Sequence, residues 1–146
     1  MALSRTDPSA AAVSDRWQRM TAPVLTIGGL AAATLALHVR DPHEQYSWGL
    51  CPSAALGFWC PGCGGLRAVN DLTHGDVGAA LSSNLLLVLA MPFAVLALGL
   101  WAVDRWRGTA PTIPWQRLRP AVPVLVALAV AFAVARNLAF GSWLAP

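Results

Sequence analysis

Three long runs without a charged residue leave few folds open to this chain. Residues 21–39 and 85–103 are uncharged over nineteen positions each, and residues 121–135 add a third run that Arg136 interrupts. About 20 helical residues, at 1.5 Å each, cross a hydrocarbon core roughly 30 Å thick. The first two runs are long enough alone. The third reaches full length only by continuing past Arg136 and Asn137 to about residue 140, which puts the arginine near the edge of the core, where a long cation can snorkel. The reading is therefore all-α: a multi-pass transmembrane helical protein with spans at about 21–39, 85–103 and 121–140.

Composition agrees. Hydrophobic residues make up 56% of the chain and charged residues only 12%, about half the charged share of an ordinary soluble domain. So much apolar surface is better placed in lipid than in a core this small. All ten basic residues are arginine, which suggests a GC-rich bacterial coding bias. They are spread along the chain, without the basic stripe and stacking aromatics of a nucleic-acid binder. The partners expected are the lipid bilayer and a second copy of the chain or another membrane protein, with no nucleic acid. Gly28, Gly29 and the alanines of the third run would permit close helix packing. No polar residues line the spans in a way that suggests a transport path.

Residues 1–20 read as a disordered cytoplasmic tail and residues 21–146 as one membrane domain. Arg16 and Arg19 precede the first run without a convincing small-residue cleavage site after it, so it reads as a retained signal anchor. The tail carries Arg5, Arg16 and Arg19, and the short loop after the second run carries Arg105, Arg107, Arg117 and Arg119. The longer segment 40–84 holds only Arg40 and Arg67. By the positive-inside rule the tail and the second loop lie in the cytoplasm of a bacterial cell, and segment 40–84 and the C-terminus face outward across its plasma membrane. Pro92, inside the second run, should bend its helix.

The chemistry-bearing residues gather in segment 40–84. Cys51, Cys60 and Cys63 follow a C-x8-C-x2-C spacing, and Pro52 and Pro61 follow two of them. CPGCG is a turn by composition, because Pro61 pre-sets φ while Gly62 and Gly64 tolerate positive φ. A helix should resume at about Gly65, with Leu66, Val69 and Thr73 on one face and Arg67, Asn70, Asp71 and His74 largely on the other, and lie across the membrane surface. Gly75 should end it, and Asp76 should cap a second-span helix that starts near Val77, above the lipid.

These residues, in the order CP, CPGCG, RA, HGD and a pair of alanines, resemble the bacterial membrane family called domain of unknown function 2752. Cys51, Pro52, Cys60, Pro61, Cys63, Gly64, Arg67, Ala68, Gly75, Asp76, Ala80 and Asn84 occupy its motif positions. Leu66 stands where the family commonly has threonine, and Leu85 where proline is common. The resemblance implies a multi-pass membrane protein and supplies no activity.

Several readings of the cysteines stay open. A structural or partner-binding element comes first, with a disulfide from Cys51 to Cys60 or Cys63 stapling the segment, or with three buried thiols acting as small apolar residues. A zinc-knuckle-like metal site is the second: Cys51, Cys60 and Cys63 would need His74 or His43 as a fourth ligand, although a helix from Gly65 carries His74 roughly 15 Å from Cys63. Zinc is the cofactor such a site would take. Thiol–disulfide chemistry is the third, since Cys60 and Cys63 form a CxxC directly before a helix, but no strand pattern supplies the sheet that usually holds such a motif. The chain thus leans away from an enzyme, and no catalytic residue is assigned. Arg67 and Arg136 should meet Asp71 and Asp76, either in a salt bridge that fixes the short helix against the third span or around a bound anion or lipid headgroup.

Overall fold

The computed structural model describes residues 8–44 and 52–144, which form helices and turns. Six α-helices follow in order: α1 (Pro8–Val39), α2 (Pro52–Ala55), α3 (Gly65–Thr73), α4 (Val77–Arg107), α5 (Trp115–Leu118) and α6 (Val122–Arg136). Short 3₁₀ turns at Arg119–Ala121 and Ala139–Leu144 flank α6. Three helical stretches among the described residues are long and apolar enough to cross a membrane, at Asp15–Val39, Val77–Arg107 and Gln116–Arg136. This is an all-α, multi-pass membrane protein.

The boundaries differ from expectation in three places. The first helix reaches back to Pro8, so the described part of the expected disordered tail continues the first span; Ala10, Ala11 and Ala12 favour helix there. The third helix stops at Arg136 rather than running on to residue 140, and Asn137 follows with φ −98° and ψ 0°. The second span has two parts: Asn84 breaks the helical dihedrals of α4 with φ −159° and ψ 89°, whereas Pro92 sits within helical backbone.

The start of α4 is as the sequence suggests. Gly75 takes φ 81°, a left-handed conformation that glycine enters at no steric cost, and Asp76 accepts a hydrogen bond from the Ala79 N–H at 2.8 Å. Eight residues later Asn84 repeats the device: its Oδ1 accepts from the Leu87 N–H at 3.0 Å and caps the apolar part of the helix.

Side-chain burial is concentrated at the end of the bundle that carries the cysteine turn. Along the spans the most apolar windows are only 0–11% buried within the protein, as lipid-facing helices should be. Helix α3 packs on α4 and, less extensively, on α1, while α6 meets the rest of the chain chiefly through its flanking turns. At the opposite, basic end, the loop after α4 folds back so that the Thr112 N–H and hydroxyl donate to Asp104 at 2.7 and 2.6 Å. A cleft of about 380 Å³ lies there, lined by Arg19, Trp101, Arg105 and Ile113 among others.

Candidate functional site

Proline and glycine set the local shape of the cysteine turn. Pro61 and Gly62 occupy its corner, the Cys63 N–H donates to the Cys60 carbonyl at 3.1 Å, and the Gly65 N–H donates to the Gly62 carbonyl at 3.0 Å. Gly64, at φ 78°, then turns the chain into α3. The turn brings the Cys60 and Cys63 sulfurs 3.1 Å apart, in thiol contact rather than joined as a disulfide. The Ser53 hydroxyl of α2 lies 3.4 Å from the Cys63 sulfur.

Such a turn offers carbonyl groups without helical partners, and burying them demands donors. The two spans supply these. Asn84, 1% exposed, donates through Nδ2 to the carbonyls of Pro61 at 2.9 Å and Cys63 at 3.0 Å. Arg136, also 1% exposed, donates through Nη1 to the carbonyls of Cys60 at 2.9 Å and Cys63 at 3.1 Å. Next to it, Asn137 holds both backbone groups of Trp59, accepting its N–H at 2.9 Å and donating to its carbonyl at 2.8 Å. The break at Asn84 and the helix end at Arg136 thus serve one purpose: each frees a polar side chain to reach the turn.

The surroundings favour charge on one sulfur. Hydrogen bonding from the Ser53 hydroxyl and the Cys63 thiol, followed by the N–H groups of Gly62 and Cys63, holds the Cys60 thiol below its ordinary range. These bonds stabilise the thiolate. The Arg136 guanidinium lies over the Phe132 ring, 5.0 Å from its centroid, and its Nε and Nη2 are buried without a hydrogen-bond partner.

The remaining candidates form a second cluster at the far end of α3. His74 stacks on His38 with ring centroids 4.3 Å apart, and its Nδ1 lies 2.9 Å from the Asn70 carbonyl. His43 contacts Asp41 at 2.8 Å and Asp71 at 3.3 Å, and the Ser83 hydroxyl donates to the other Asp71 oxygen at 2.9 Å. Asn70 donates to the Leu37 carbonyl of α1 at 2.7 Å, and Arg67 makes a long contact of 3.5 Å with the Pro42 carbonyl.

One sequence expectation about this region changes. Arg136 and Arg67 do not form ion pairs with Asp71 or Asp76: the arginines go to carbonyls, Asp71 goes to His43 and Ser83, and Asp76 caps α4. Helix α3 packs with a largely polar face inward. It turns Ala68, Asn70 and Asp71 inward and leaves Leu66 48% exposed, the sense expected of a helix whose outer neighbour is lipid.

Neither His74 nor His43 is brought to Cys60 and Cys63. Among the described residues no group of three or more histidine, cysteine or acidic side chains is placed to hold a metal ion. Cys51, and with it the expected disulfide and the full three-cysteine metal set, lies outside the described residues. Sequence reasoning missed Asn84 and Asn137 as parts of the site. Asn84 had left a signal, since Ser82, Ser83 and Asn84 directly before an apolar run form a helix-start pattern.

Three helices long and apolar enough to cross a membrane, two of which send buried donors to the turn that carries Cys60 and Cys63, make this chain a multi-pass helical membrane protein. Residues 51–98 match the family described as "Protein of unknown function (DUF2752)", the same family that the motif resembles, and the match runs beyond Asn84 into the second span. No curated protein and no solved structure matches the chain.

Proposed function

We propose that this chain is a bacterial plasma-membrane protein with its N-terminus in the cytoplasm, and that its cysteine turn is a rigid recognition element presented to a partner protein on the outer face. The observation that carries the reading is the clamp: Asn84 and Arg136, two of the most deeply buried side chains, direct their donors to the carbonyls of Cys60, Pro61 and Cys63. Burying such groups at a membrane edge is costly unless their placement serves the turn. The arginine asymmetry between segment 40–84 and the loop after α4 supports the orientation. Leu56 and Phe58, 86% and 46% exposed beside the turn, give the element an apolar rim.

The test is made in intact cells. A membrane-impermeant maleimide, followed by peptide mapping, should label Cys60 from outside, and a photo-crosslinking residue at Leu56 should give a discrete protein adduct. Labelling only after the inner face is opened would reverse the orientation. Adducts with lipid alone would remove the partner.

A further inference from the structure

We propose that the Cys60–Cys63 pair is an exchange site for a disulfide of that partner, with Cys60 as the attacking sulfur, Cys63 as the resolving sulfur and Arg136 as the positioning cation. This deepens the recognition reading and rests on it.

Four features of the turn support the assignment. The sulfurs stand 3.1 Å apart, roughly 1 Å beyond a disulfide bond length of about 2.05 Å, so side-chain rotation can close the bond while the clamped backbone stays in place. The two cysteines differ in access, since Cys60 is half-buried and Cys63 is 5% exposed. An incoming disulfide therefore meets Cys60 first. Arg136 is a buried cation with Nε and Nη2 unpartnered and no carboxylate within ion-pair distance among the described residues. A desolvated charge of this kind requires an opposite charge nearby, and a thiolate in the turn supplies one. Finally, hydrogen bonding around the turn holds the Cys60 thiol below its ordinary range, so its surroundings stabilise negative charge there.

The chemistry balances with the partner disulfide as oxidant. The Cys60 thiolate attacks one sulfur of the partner's disulfide, forming a mixed disulfide and releasing the second partner sulfur as thiolate. That thiolate takes the Cys63 proton. The Cys63 thiolate then attacks the Cys60 sulfur, forming the Cys60–Cys63 disulfide and releasing the first partner sulfur as thiolate. The partner gains two electrons and the CPGC turn loses two. The reverse sequence oxidises a partner dithiol.

The experiment uses the reduced full-length chain in lipid nanodiscs, with glutathione disulfide as the probe and alkylation followed by peptide mapping as the readout. The wild type should form the Cys60–Cys63 disulfide, and Cys63→Ser should accumulate glutathione on Cys60. Arg136→Met should slow the reaction of Cys60 at least tenfold and raise the pH at which its alkylation is half-maximal. Arg136→Lys, which keeps the charge if the larger change disturbs folding, should recover most of the rate. Four results would each overturn the proposal: first attack at Cys63, pairing of Cys60 with Cys51 instead, an Arg136→Met rate equal to wild type, or stoichiometric zinc that blocks both thiols. Exchange without a Leu56 adduct in cells would leave the chemistry standing and remove the recognition reading. An adduct without exchange would do the opposite.

Discussion

The cysteine end and the middle of the spans are built on opposite terms. At the cysteine end, polar and charged side chains are buried beside small apolar ones: Asn84, Arg136, Asn70, Asp71 and Ser83 with Cys63, Ala68 and Ala80. Along the spans, leucines such as Leu96 and Leu128 stay 60% and 54% exposed within the protein. Lipid tails are as apolar as leucine, so exclusion of apolar surface gives these helices little reason to associate. Directional bonds must do it instead, and they can be placed only where backbone carbonyls are available. The cysteine turn supplies those carbonyls, and the third span attaches there.

This contrast can be broken or sharpened by substitution, with unfolding in mixed micelles as the measurement. Arg136→Met should have the largest effect, about 3 kcal/mol, because it removes charged donors from two buried carbonyls. Retention of full stability would move the attachment of α6 elsewhere. Asn84→Ala should cost about 2 kcal/mol, combining a lost helix cap with two lost donors, and Asn84→Asp should recover the cap alone. Ser83→Ala, which frees one Asp71 oxygen, should cost about 1 kcal/mol. The smallest effect should come from Leu128→Ala at mid-span, within about 0.5 kcal/mol, as for surface positions generally. A larger loss there would mean that α6 has a protein neighbour, a second copy being the first to look for by crosslinking.

How far each region could be read from sequence follows the same division. The spans were legible because lipid imposes length and apolarity on consecutive residues, a signal carried by the chain itself. The break at Gly75 and Asp76 was legible because cap chemistry is local. Arg136 could be placed at the edge of the membrane, but its partners could not be named: a carboxylate and a carbonyl satisfy a guanidinium equally well on paper. The nearby aspartates were the obvious choice, and the structure gives Asp71 to His43 and Ser83. The facing of α3 was not legible for a related reason. Amphipathic patterns say which residues share a face, and only the surroundings say whether that face turns to protein or to lipid. Asn137 left no signal, because its bonds to Trp59 join residues far apart in the chain.

The clamp's central claim is that Asn84 and Arg136 hold one and the same object, the carbonyl edge of the cysteine turn. A double-mutant cycle of Asn84→Ala and Arg136→Met measures this directly. Once either donor is gone and the turn is released, the other has less to hold, so the double variant should lose less stability than the two single losses combined, with a coupling of about 1 kcal/mol or more. Losses that add to within about 0.3–0.5 kcal/mol would mean two independent sites, and would contradict the clamp.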